Sequence, residues 1–385
     1  MAFLRRVLRL SGLAAASSPP LVRRREWGAV SRTGCRSFAR TPCLRPLSAR
    51  LRTACATWLL PLLLVTPPAA LQAQFTYVTN NGTITITGYT GFTGFGVAVA
   101  IPDRLPDPTN GLAVTAIGEY AFTGLYITNV VIPNSVISIG NYAFEGCEHL
   151  YNVIIPGSVV SIADYAFANC KFLSNVIISN GVIIIGDHAF EYSNNLRNVV
   201  IPDSVMSIGP YAFRMCALTN IPIGRGLTSI EDYTFAACSF LTNITIPINI
   251  TSIGAGAFSG CLNLTGVYFE GDAPNGGSLD VFSPFSPPAV ILYYLPGTTR
   301  WGSTFGGSPA VLWNPQAQAA GVRANRFGFN ITGTTNIPIV VEASTSLGRA
   351  SWTALQTCTL TNGSIYFSDP AWRSYHARFY RIRSP

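Results

Sequence analysis

Apolar positions along this chain recur with a period far longer than that of a helix or a strand. Phe122, Phe144, Phe167, Phe190, Phe213, Phe235 and Phe258 follow one another at intervals of 22 or 23 residues, and six of the seven are preceded by Ala. An isoleucine stands upstream of each, at Ile117, Ile139, Ile162, Ile185, Ile208, Ile230 and Ile253, most of them followed by Gly. A fixed period of this length marks a stack of similar structural units and takes precedence over any local reading.

Downstream of each Phe comes an apolar triplet, seen as Leu150/Val153/Ile155, Leu173/Val176/Ile178, Leu196/Val199/Ile201 and Leu241/Ile244/Ile246. The spacing Leu-x-x-Val-x-Ile is that of a leucine-rich-repeat strand. Alternation turns Val153 and Ile155 to one face, and Pro156 cannot donate to a ladder, so each strand is predicted to be short and then to turn. The third unit sends Val159, Ile162, Ala166, Phe167, Cys170, Leu173, Val176 and Ile178 inward. Their full burial yields roughly 12 to 20 kcal/mol. Ordering 23 backbones at about 1 to 2 kcal/mol each costs more. One coil therefore cannot fold alone, and stacking on neighbours is compulsory.

The ends of such a stack need covers. Residues 74–110, with alternating Phe75-Thr-Tyr-Val-Thr and Thr83-Ile-Thr-Ile-Thr-Gly, are predicted to form an N-terminal β cap, followed by seven repeats over 111–269. Residues 270–315 read as a C-terminal cap in which Val290-Ile-Leu-Tyr-Tyr closes the array and Trp301 and Trp313 cover the last coil. The run Gln316 to Gly321 (QAQAAG) reads as a linker, and 322–385 as a small β module of sandwich type, with strands around Phe327–Ile331, Ile339–Glu342, Trp352–Leu360, Ile365–Phe367 and Phe379–Ile382. The fold class is thus mainly β, a solenoid of stacked coils with β caps and a C-terminal module.

The unit Ser138-Ile-Gly-Asn-Tyr-Ala-Phe-Glu-Gly-Cys-Glu-His-Leu-Tyr-Asn-Val-Ile-Ile-Pro156 resembles the BspA-like, treponemal-type leucine-rich repeats of exported bacterial surface proteins. The resemblance runs over about residues 111–269. It implies export, absence of catalysis, and a surface that binds protein or acts in adhesion. The first and fifth units depart from the pattern: Leu125 falls near the expected cysteine, one residue is missing after Cys216-Ala217, and Pro222 takes the outward strand position.

The net charge of +8 changes meaning once its distribution is seen. Residues 1–73 hold twelve Arg and one acid, Glu26, for +11, so the rest of the chain carries −3 and offers no polyanion-binding body. The same lead contains the apolar run Trp58 to Val65 followed by TPPAALQAQ, which orders a basic region, an apolar core and a small residue, Ala73, as a signal peptide does. Secretion or surface display after cleavage near Ala73 is expected. The arginine-rich, Ser-rich lead exceeds the usual 15 to 30 residues, which leaves an organellar transit peptide as the competing reading. No stretch approaches the roughly 20 apolar residues of a membrane span.

Candidate chemistry lies in columns. Cys147, Cys170, Cys216, Cys238 and Cys261 share one position with Ser193 completing it, a pattern of small buried groups; stacked disulfides are the alternative. Paired CxxC and clustered His are missing from the sequence, and neither metal nor cofactor is expected. His149, His188 and His376 occupy unrelated positions, so no catalytic constellation is expected, and glycine-rich stretches fall in β turns, so no nucleotide or nucleic-acid site is expected. Tyr120, Tyr142, Tyr165, Tyr211 and Tyr233 form an aromatic stripe that either grips a ligand or packs on itself. Val131, Ile154, Ile177, Val200 and Thr245 point outward between the inward strand residues, beside Asn152, Asn175, Asn198 and Asn243. An apolar strip with an amide ridge is the best ligand surface the sequence offers, for a protein or a glycan. A structural spacer, or a carbohydrate-binding accessory using Trp301, Trp352 or Trp372, are the other readings.

Overall fold

A computed structural model describes residues 74–91, 96–276, 280–282, 290–347 and 351–385. The lead, and with it the cleavage expected near Ala73, lies outside the described residues.

Each repeat closes one turn and lays two short strands parallel to those of its neighbours. One ladder joins Ser138–Ile139, Ser161–Ile162, Ile184–Ile185 and Ser207–Ile208 in register, and resumes with Ser229–Ile230 beside Ser252–Ile253. The second joins Ile127–Val131, Asn152–Ile155, Asn175–Ile178 and Asn198–Val200, again residue for residue. Strict periodicity makes this possible, because each inward side chain finds its own kind above and below. The eight residues predicted to point inward from the third unit are all buried.

Two inner columns hold the stack together. The seven Phe rings lie face to face at 4.9 to 5.8 Å. Tyr89 of the N-terminal cap extends this stack at one end and Phe282 at the other, a position the sequence reading had not placed in register. Beside them the thiols of Cys147, Cys170, Cys216, Cys238 and Cys261 each donate to the carbonyl oxygen of the preceding coil's Phe at 3.1 to 3.3 Å, and Ser193 makes the same bond through its hydroxyl at 3.1 Å. All five thiols are free.

The strands Phe75–Asn80 and Thr83–Tyr89 pair antiparallel, and the second continues the first ladder through Leu112–Ile117. At the other end Gly266–Phe269 is the strand of the last repeat, and Ile291–Tyr294 and Ser308–Leu312 carry the pairing on beyond it. That ladder is interrupted at the fifth coil. Asn220 forms one bridge to Asn198, and Pro222, without an N–H, leaves its segment outside any strand before pairing resumes at Asn243.

Beyond the array two three-stranded antiparallel sheets, of 316–323, 326–332 and 364–369 and of 353–359, 338–344 and 379–383, share one core built on Phe327, Phe329, Ile339, Val341, Phe367 and Tyr380. Two expectations need correction. Residues 316–321 are not a linker: Gln316–Arg323 is a strand paired with Arg326–Thr332, a case where a partner strand outweighs the weak β propensity of Ala and Gln. Trp301 does pack on the array, stacked with Tyr294 at 5.0 Å, but Trp313 belongs to the second core and donates from Nε1 to the Pro338 carbonyl at 3.0 Å.

Candidate functional site

The second ladder brings the predicted outward residues into one row. Val131, Ile154, Ile177 and Val200 are direct register partners, one coil apart, and remain 61%, 58%, 48% and 57% exposed. Coil spacing in such ladders is about 4.8 Å. Asn129, Asn152, Asn175 and Asn198 form a parallel row two residues upstream on the same face, so amides border the apolar strip throughout. Thr245 and Asn243 hold the same positions in the sixth coil, on the far side of the ladder break at Pro222.

The same column continues further, and there it is covered. Thr245 pairs with Tyr268, Tyr268 with Tyr293, and Tyr293 with Val311. Tyr268 and Tyr293 are 2% and 5% exposed, stacked at 5.0 Å, and join the core of the C-terminal module. Burial pushes the Tyr268 hydroxyl's pKa well up. One outward column thus has a closed end occupied by the chain's own module and an open stretch over the first four coils.

Next to the open stretch lies an aromatic cluster that column counting did not single out. The His149 ring packs against Tyr126 at 5.2 Å and Phe172 at 5.7 Å, and Tyr151 meets Phe172 at 5.9 Å. Tyr126, Tyr151 and Phe172 are exposed. The signal was present in the sequence: Tyr126, His149 and Phe172 lie 23 residues apart and each precedes an inward apolar residue, Ile127, Leu150 or Leu173, but Asn195 ends the aromatic run in the fourth coil and Tyr151 joins from a different repeat position.

The tyrosine stripe is a continuous stack. Tyr120, Tyr142, Tyr165, His188, Tyr211 and Tyr233 follow at 4.4 to 4.9 Å with planes within 9°. Every member has left-handed φ between 54° and 59°, as does Gly256, where the column ends because a Cβ would run into the Tyr233 ring. Interior rings use both faces on their neighbours and present edges outward. Burial first, then the stacked Tyr142 and the carboxylates of Glu191, Asp164 and Asp187, raise the Tyr165 pKa. His188 is held by stacking between Tyr165 and Tyr211 and by Glu191, whose carboxylate is 2.6 Å from His188 Nδ1 and accepts from Arg214 at 2.8 Å.

The described histidines sit in the second coil, the fourth coil and the module, and no described cluster of His, Cys, Asp or Glu could hold a metal ion. Among the described residues no helix is long and apolar enough to cross a membrane.

No curated protein matches the sequence significantly. Among solved structures, a leucine-rich repeat protein of T. pallidum is 31% identical over 50% of this chain and 88% of its own, with a TM-score of 0.45. One from Bacteroides ovatus is 27% identical over 57% and 70%, with a TM-score of 0.41. Residues 115–179 and 161–275 match the BspA type leucine rich repeat region in six copies. Through this repeat array the chain belongs to the BspA-type leucine-rich repeat family.

Proposed function

We infer that this chain is an exported, non-enzymatic binding protein that presents the open stretch of its outward strand column to a protein or glycan. The observation that carries this reading is the row Val131, Ile154, Ile177 and Val200: four β-branched side chains exposed side by side, bordered by Asn129, Asn152, Asn175 and Asn198. Contiguous apolar surface rimmed by polar groups is the composition of an interaction site. The column's other end supports the same reading, because there an identical geometric position already holds a folded partner, the chain's own module. Tyr126, Tyr151 and Phe172 add the aromatic side chains in which binding energy concentrates. The basic lead and its apolar core support export.

Replacing Ile154, Ile177 and Val200 with Lys tests the assignment. These side chains make no core contact, so the coils stay stacked, while binding of the purified protein to cells or extracellular matrix falls at least about tenfold. Unchanged binding with unchanged thermal unfolding would leave the row as strand preference alone and favour a structural spacer.

A further inference from the structure

The −3 carried by residues 74–385 conceals a segregation of charge. Residues 74–321 hold six basic and fourteen acidic groups, whereas 322–385 hold seven Arg and two acids. Both acids of the module are neutralised internally. Glu342 is bound by Arg381 and Arg383 at 2.5 and 2.6 Å, and Asp369 by Arg378 at 2.6 Å and the Tyr380 hydroxyl at 2.9 Å. Arg323, Arg326 and Arg373 are exposed and enter no ion pair among the described residues.

These three gather at one end of the module. Arg323 and Arg326 are register partners flanking the turn Ala324–Asn325. Trp372 donates from Nε1 to the Asn325 carbonyl at 3.2 Å, which fixes Arg373 beside the same turn. Strand alternation puts Arg323 and Arg326 on the outer face of their sheet, since Val322 pairs with core residue Phe327, and Tyr366 shares that face opposite Asn330. Tyr366 reaches towards the turn across Gly328, where a Cβ would strike its hydroxyl. Arg323 lies over the Tyr366 ring at 5.7 Å, and Arg373 over Trp372 at 5.5 Å. A guanidinium parked on an aromatic face is pre-oriented and keeps its N–H fork for a carboxylate or phosphate.

We propose that this end of the module is a second binding site, for an acidic polysaccharide. Two aromatic–arginine pairs on either side of one turn match a polymer that repeats an anionic group next to an apolar sugar face: the ring takes the C–H face, the guanidinium the acid. Of the three tryptophans considered as sugar platforms, Trp301 is stacked on Tyr294, and the arginine over Trp352, Arg381, is already held by Glu342, whereas Trp372 is paired with an arginine whose charge is unspent. The choice of a glycan over nucleic acid rests on export, proposed above. The site itself uses none of the strand-column residues.

The test is binding of the full chain to polygalacturonate, a uronic acid polymer, beside a neutral galactan, duplex DNA and phosphatidylglycerol vesicles. Polygalacturonate binding is expected to weaken with salt and to fall at least about tenfold in Arg323→Gln/Arg326→Gln/Arg373→Gln, as loss of three exposed charge pairs would give. Tyr366→Ala should weaken polygalacturonate binding while leaving any residual DNA retention unchanged. No binding by the unaltered protein at low salt, equal binding by the triple variant with native unfolding behaviour, or tighter binding to DNA or vesicles than to polygalacturonate would each overturn the proposal. The Ile154/Ile177/Val200 lysine variant should bind polygalacturonate normally, so failure here and failure of the strand-column site are separable.

Discussion

The Cys170 thiol donates to the carbonyl oxygen of Phe144, 3.2 Å away in the preceding coil, and that carbonyl also accepts from the backbone N–H of Cys147 at 3.2 Å. The thiol column therefore ties each coil to the one before it by a side-chain bond where the rings stack. Ser193 shows that a hydroxyl can do the same. Cys170→Ser should stay within about 1 kcal/mol of the unaltered protein, whereas Cys170→Ala, which loses the donor, should cost about 1 kcal/mol more than Ser does. Urea unfolding of the two variants decides it. Ala as stable as Ser would mean the column is filled for volume alone.

Burial pushes the Cys147 thiol up to about 12, and those of Cys170, Cys216 and Cys238 upward too. A thiol held protonated is not a nucleophile. Iodoacetamide at pH 8 should leave these four unmodified in the folded protein and modify them in urea, as peptide mass mapping would read. The sign for stability follows. Below the ordinary thiol value of 9.0 the contribution is complete; above it the unfolded chain ionises and the folded one does not, so stability falls as pH rises towards 12. Cys147→Ser should flatten that fall, and an unchanged slope would assign it elsewhere.

Tyr165 occupies a left-handed backbone position, φ 57°, between two stacked rings. Both replacements that remove the ring lose two stacking partners, at about 0.5 to 1.5 kcal/mol each. Glycine also relieves left-handed strain of roughly 1 kcal/mol, which alanine retains. Tyr165→Gly should thus be more stable than Tyr165→Ala, the reverse of the usual order in regular structure. Chemical denaturation showing Ala the better replacement would remove the conformational account of this column, in which Gly256 already stands.

How far the fold was legible follows from repetition. Phe167 and Ile162 are readable because six other coils place the same side chain in the same layer, so the sequence states each of these two positions seven times. Where a residue acts once, the signal fades. Phe282 extends the ring stack from outside the repeats, and Gln316–Arg323 becomes a strand only because Arg326–Thr332 lies beside it. The outward row was legible as alternation, whereas the short ring column Tyr126, His149 and Phe172 stops at Asn195 and takes in Tyr151 from another repeat position, so the cluster as a whole needs the three-dimensional stack to appear. Nor could the −3 of the body disclose its division between array and module, because a sum carries no geometry.

Ile154 and Tyr268 hold the same outward repeat position on either side of the break at Pro222, yet the first is 58% exposed and the second 2%. The difference is the module, whose core takes in Tyr268, Tyr293 and Trp313. Removing a ring from that core forfeits its packing on both sides, so Tyr268→Ala should cost about 3 to 5 kcal/mol. The same truncation at Ile154 removes only surface and should stay near 0.5 kcal/mol. Much of the Tyr268 loss falls on the contact that seats the module, so calorimetry should resolve a separate early transition, and limited proteolysis should open a new cut near 313–316. If Tyr268→Ala unfolds in one transition at the unaltered temperature, the module stands without the column, and the covered end of the row ceases to be a precedent for its open end.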